Sequence, residues 1–130
     1  MKQHSREDLI RYRIERAKET LQEVDALIEL EFWNTAVNRL YYACYYAVST
    51  LLLQENIKTQ THAGARQMLG LHFIQTNQLS RDLGRFYNDL YDKRQTSDYD
   101  DFVEFQEATV VELLQSATEF VGVIELLIHV

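Results

Sequence analysis

Apolar residues recur at three- and four-residue intervals along nearly the whole chain, the spacing of one face of an α-helix. The first such line is Leu9, Tyr12, Ile14, Ala17, Leu21, Val24 and Ile28. Charged residues lie opposite, so the pattern predicts a helix that packs one stripe and leaves the rest wet. Ser5 stands before it as an N-cap, with Glu7 and Asp8 in the first turn, where acidic groups suit the helix dipole. A second helix is predicted from Phe32–Asn34 to about Gln54. Trp33, Ala36, Val37, Leu40, Cys44, Ala47, Val48 and Leu51 follow the helical rule, and Tyr41, Tyr42, Tyr45 and Tyr46 fill other faces. A helix apolar nearly all round is central, or is covered on one side by a second subunit.

Residues 55–61 read as a loop, and Thr61 can cap a third helix carrying Ala65, Met68, Leu69, His72 and Phe73. The segment Thr76-Asn77-Gln78 breaks it. Ser80 opens a fourth helix with Leu83, Phe86, Tyr87, Leu90 and Tyr91, predicted to end near Arg94. A polar turn over Gln95 to Asp101 follows. A fifth helix is predicted from Phe102 to the C-terminus on Phe105, Val110, Leu113, Leu114, Ala117, Val121, Ile124, Leu127 and Ile128. Long helices joined by short loops imply an all-α, five-helix up-and-down bundle, in a single domain spanning residues 1–130.

Composition narrows this picture. The chain lacks proline and has four glycines, which argues against all-β and Gly-rich-loop folds. One cysteine, Cys44, excludes an internal disulfide framework, and four scattered histidines without ligand spacing imply no metal site. No cofactor motif is present: there is no P-loop, GxGxxG or GxSxG. The net charge is −7, unsuited to non-specific attraction to nucleic acid or an anionic membrane. The charge is uneven, with Lys2, Arg6, Arg11, Arg13, Arg16 and Lys18 near the N-terminus and no Lys or Arg after Arg94. A local basic patch on an acidic protein is compatible with that. The N-terminus is polar, and the apolar run Leu40 to Leu53 is too short to span a bilayer, so a cytoplasmic protein is expected.

Three groups of residues carry chemistry. Arg39 is the only charge between Glu31 and Glu55, and it shares a helix face with Tyr42 and Tyr46. A guanidinium in an apolar helix must meet a carboxylate, a carbonyl or a ligand phosphate. A structural ion pair and a ligand or subunit-interface role are both open. Arg94-Gln-Thr-Ser-Asp98-Tyr99 offers an arginine suited to phosphate beside acid–base groups. It also reads as a turn that caps the fifth helix, with Arg94 on the carbonyls ending the fourth. Thr61-His62-Ala63-Gly64 places a histidine just inside a helix, either ligand-facing or a plain surface residue. His72 reads as a core histidine.

Together these segments resemble a HEPN domain. The carrying residues are Trp33-x2-Ala36-x-Asn38-Arg39-Leu40-Tyr41-Tyr42-Ala43-x2-Tyr46-Ala47, Leu51-Leu52, Thr61-His62-x-Gly64, His72-Phe73 and Leu90-x3-Arg94-x3-Asp98-Tyr99. The resemblance spans roughly residues 5–128. It implies a five-helix fold, a homodimer and, in toxin branches, RNA cleavage beside a nucleotidyltransferase antitoxin. The family's ribonuclease signature is Arg, four to six residues, then His. Arg94 matches the Arg, but the three His slots hold Tyr99, Asp100 and Asp101. The chain is thus similar to the branch with Arg-x3-Asp-Tyr in place of that signature.

The resemblance therefore implies a nucleotide- or RNA-binding homodimer, the toxin-like partner of a minimal nucleotidyltransferase. Arg39, Tyr42, Arg94 and Tyr99 would bind the ligand. Arg94 and Asp98 would be the catalytic candidates, and Tyr99 a site of adenylylation by the partner. The alternative is a non-catalytic helical module for dimerisation and protein interaction.

Overall fold

The computed structural model describes residues 5–130 and contains five α-helices and no strand among them. They are α1 (Arg6–Glu29), α2 (Trp33–Gln54), α3 (His62–Leu69), α4 (Arg81–Tyr99) and α5 (Glu107–Leu127), with a π-helical turn at Gly70–Ile74 continuing α3. Helix α2 is the centre, touching α1, α5, α4 and α3. Its buried residues include Ala36, Val37, Leu40, Tyr41, Cys44, Ala47, Val48, Leu51 and Leu52. Burial pushes the Cys44 thiol up, so it packs as a neutral apolar group.

The capping residues act as the spacing predicts. Ser5 accepts from the Asp8 backbone N–H while the Asp8 side chain accepts from the Ser5 N–H, a reciprocal capping box. Thr61 and Ser80 cap α3 and α4 through Gly64 and Leu83. With so few glycines, the helix ends use other residues. Glu31, Asn56 and Asn77 all take positive φ, at 60°, 59° and 65°. Each lets the next backbone N–H reach back: Phe32 to the Leu27 carbonyl, Ile57 to Leu52 and Gln78 to Phe73, all at 2.9 Å. These are Schellman closures, which satisfy carbonyls that the helix leaves unpaired.

Four boundaries or burials differ from the periodicity. In α1 the buried line is Ile10, Ile14, Ala17, Thr20 and Val24, while Leu9 and Tyr12 are exposed on its flank. Thr20 is tolerated inside because its hydroxyl donates to the Arg16 carbonyl at 2.7 Å. Helix α4 does not stop at Arg94 but runs to Tyr99. Three i,i+4 contacts carry it through the polar segment: Lys93 with Asp89, Arg94 with Asp98, and Thr96 with the Asp92 carbonyl. Helix α5 starts at Glu107 rather than Phe102, which is almost wholly exposed. Asn34 holds the preceding segment extended by donating to the Val103 carbonyl at 2.8 Å and accepting from the Phe105 N–H at 3.0 Å. His72, read as a core histidine, is exposed on the π-helical turn, where Phe73 takes the buried position.

At the other end, the Gln54 side chain donates to the Leu127 carbonyl and accepts from the His129 N–H. The two amides at the ends of α2 thus fasten both flanks of α5, and the two helices run parallel. Helix α1 runs antiparallel to α2, with Arg6 donating to the Gln54 carbonyl.

Glu31 adopts a left-handed conformation that glycine takes without steric cost. Glu31→Gly is expected to stabilise the fold by up to about 1 kcal/mol in urea unfolding. A variant less stable than the parent would show that the Glu31 backbone carries no such strain.

Candidate functional site

Continuation of α4 past Arg94 turns that residue into the core rather than onto the helix end. Arg94 is a buried charge, 9% exposed, facing the tyrosines of α2. Its guanidinium carbon lies 4.7 Å from the Tyr41 ring centroid, 5.9 Å from that of Tyr42 and 6.0 Å from that of Tyr91. Aromatic faces attract cations, which offsets part of the desolvation. Its one carboxylate partner is Asp98, one turn on, with Nη1 donating to Oδ2 at 3.2 Å. Asp98 is about one-third exposed, so water weakens that pair. The Arg94 Nε is buried with no hydrogen-bond partner.

Arg39 reaches the same place from α2. Its guanidinium carbon sits 4.9 Å from the Tyr42 ring centroid, and its Nε and Nη2 donate to the Asn38 side-chain oxygen. No carboxylate pairs with Arg39 among the described residues. One ring, Tyr42, therefore has two guanidinium groups against it. A third cation, Arg66 of α3, lies 4.3 Å from the Tyr91 ring centroid and 3.8 Å from Asp92. The result is a cationic arc, interleaved with tyrosines, on an acidic chain.

His62, the first residue of α3, completes the group. Its Nδ1 lies 2.8 Å from the Tyr41 hydroxyl, a hydrogen bond that either tautomer can make. Its ring centroid is 4.3 Å from that of Tyr45 and 5.7 Å from that of Tyr42. Burial lowers the His62 pKa, and the positive charge of Arg94 lowers it further. The imidazole is thus neutral at pH 7, a state able to accept a proton. Burial pushes the Tyr41 phenol up to about 12, so it stays protonated.

Of the residues singled out by sequence, Arg39, Tyr42 and Arg94 come together and Asp98 holds the rim. The reading of Arg94 to Tyr99 as a capping turn is replaced by a helical i,i+4 pair. Tyr99 is 83% exposed at the end of α4 and makes no ring contact with the cluster. Tyr46 lies beside Tyr42 with ring centroids 6.3 Å apart, and Arg16 of α1 covers it at 5.8 Å. His62, singled out as either ligand-facing or a surface residue, joins the cluster, and Tyr41, Tyr91 and Arg66 carry it without having been named as site residues. Tyr91 stood on an apolar line and gave no separate signal. His62 did give one, through its place after the Thr61 cap. No grouping of His, Cys, Asp and Glu among the described residues suits a metal ion, and no helix there is long and apolar enough to cross a membrane.

A family model described as the HEPN domain matches residues 10–127. The chain belongs to the HEPN family. A protein of Thermotoga maritima named "UPF0332 protein" is 37% identical over 126 residues, covering 97% of this chain and 96% of the relative. A protein of Methanocaldococcus jannaschii named "Putative toxin MJ0142" is 36% identical over 109 residues, 84% of this chain and 74% of the relative. A "UPF0332 protein" of Archaeoglobus fulgidus is 26% identical and covers 88% of this chain and 90% of its own. The match with a HEPN model agrees with the five-helix architecture, and its span takes in every member of the cationic arc.

The lowered His62 pKa has a direct consequence for stability. In the unfolded chain His62 titrates near 6.5. Below that pH the unfolded state binds a proton that the folded state resists, so this contribution is complete above about pH 6.5 and is lost as pH falls toward the lowered value. Urea midpoints from pH 7.5 to pH 5 should fall more steeply for the parent than for His62→Gln. Parallel curves would mean that His62 is not held neutral by its surroundings.

Proposed function

We propose that this HEPN-family chain binds the phosphate of a nucleotide or RNA at Arg94 and Arg39, as the homodimeric, toxin-like partner of a minimal nucleotidyltransferase. The carrying observation is the incomplete pairing of Arg94. A buried guanidinium with one partly solvated carboxylate and an orphaned Nε has donors to spare in a low-dielectric setting. A phosphate oxygen pair matches the planar guanidinium fork and can displace Asp98. Arg39, unpaired by any described carboxylate and against the same Tyr42 ring, would supply the second cation. Tyr42 offers an aromatic face for a base or sugar. Leu9 and Tyr12, exposed one turn apart on α1, are surface for a second copy. The toxin reading is supported by the name of the Methanocaldococcus relative.

Cleavage by such a site needs a proton-transfer group near the phosphate. The family's Arg-x4-6-His spacing supplies none here, and His62 is the imidazole that the fold brings to the cluster.

Binding of ATP and of unstructured RNA, followed by calorimetry and fluorescence anisotropy, tests the reading. Arg39→Ala should weaken both by about tenfold, the loss of one charge-assisted contact. Arg94→Lys keeps the charge but loses the fork and should weaken them by a similar factor. Unaltered affinities in folded variants would overturn the assignment. Tyr99, freely exposed, is the proposed acceptor of a nucleotidyl group. Intact mass should rise by one such group when the partner enzyme and ATP are present, and not for Tyr99→Phe. An unshifted mass with active enzyme would remove Tyr99 from the scheme.

A further inference from the structure

A cavity of about 500 Å³ opens next to this cluster, between the first half of α1, the second half of α2 and the loop 55–61. Its size is that of a small-molecule pocket. Tyr45 and Tyr46 form one wall and Ser49 lies beside them, over a floor of leucine and isoleucine side chains. Arg13 from α1 and Lys58 from the loop stand at its edges. Neither makes an ion pair among the described residues, although the chain has an excess of acidic groups. The cavity adjoins the phosphate cluster through both of its tyrosines, and Tyr46 packs against Tyr42. Tyr45 lines it and packs against His62, which touches Tyr41 and Tyr42 in turn.

This combination has a chemical meaning. Aromatic faces over an apolar floor accept a flat ring of any base, because every base has a π-face. Two unpaired cations at the rim accept a backbone phosphate. Tyr42 of the cluster and Tyr46 of the cavity wall are one helical turn apart, with ring centroids separated by 6.3 Å, so the two sites adjoin along α2. A duplex keeps its bases stacked inside and cannot offer one to such a cavity.

We propose that the Tyr45–Tyr46 cavity holds the base of the nucleotide adjacent to the phosphate at Arg94, with Arg13 and Lys58 on the next phosphate. The ligand is then single-stranded RNA of at least two nucleotides rather than a mononucleotide. The inference rests on the phosphate reading above and specifies its ligand. It assigns work to Arg13 and Lys58, which the Arg39–Arg94 cluster does not use.

The experiment compares AMP with a short oligouridylate for the parent, Arg13→Gln/Lys58→Gln and Ser49→Phe. The first variant removes the rim charges, and the second fills the cavity from a partly exposed position. The oligouridylate should lose about tenfold in affinity in either variant, as expected for one base stack or two phosphate contacts. AMP binding should stay within about twofold, because its phosphate reaches only the Arg39–Arg94 cluster. The salt dependence of RNA binding should also flatten in the charge variant, by a slope of roughly 1.4 for two contacts on a single strand. Oligouridylate affinity unchanged in both variants, with AMP still bound, overturns the cavity assignment and leaves the phosphate reading standing. A parent that binds neither ligand overturns both. A cavity that serves a protein segment instead gives the first of these negative results.

Discussion

The arrangement of this bundle follows from enclosing α2. Half of that helix is buried beneath neighbouring helices, and its partly exposed remainder carries three tyrosines and a single charge, Arg39. A helix so placed drives association through apolar burial, at roughly 25 cal/mol for each Å² removed from water. It also restricts what can face it. Arg94 enters this interior from α4 with three aromatic rings and one carboxylate around it, and the pairing remains incomplete. The same enclosure that stabilises the fold thus maintains a cation with unused donors. Stability and binding chemistry here share one cause.

Much of this was legible in the chain, and the reasons are local. The α2 boundaries follow from an unbroken apolar spacing, and Ser5, Thr61 and Ser80 mark helix starts because a side-chain oxygen must meet an orphaned N–H. Arg39 stood out as the lone charge of an apolar helix, and Arg94 through its spacing to Asp98 and Tyr99. What could not be read was long-range. The extent of α4 depends on i,i+4 contacts whose pay-off appears only when Arg94 has rings to face. The start of α5 depends on Asn34, 71 residues from its partner Phe105. His62 sits 21 residues from Tyr41, and no periodicity links them.

The site illustrates a general point about histidine in helical proteins. Position after an N-cap says where a ring begins, not what it will meet. His62 is held by Tyr41 of another helix, whose hydroxyl meets Nδ1, while burial and then the charge of Arg94 disfavour its protonation. Its exposed counterpart His72 has neither neighbour and lies on the outer side of the π-helical turn.

The amides of Asn34 and Gln54 join opposite ends of α2 to the two flanks of α5. Terminal fraying in most helices begins with the last turn, where carbonyls have only water. Here each end of α5 is tied to a rigid neighbour about 30 Å long. Loosening either end requires breaking two hydrogen bonds between an α2 side-chain amide and the backbone beside α5. Amide exchange at both ends of α5 is therefore expected to be slower than at a helix terminus that meets only water.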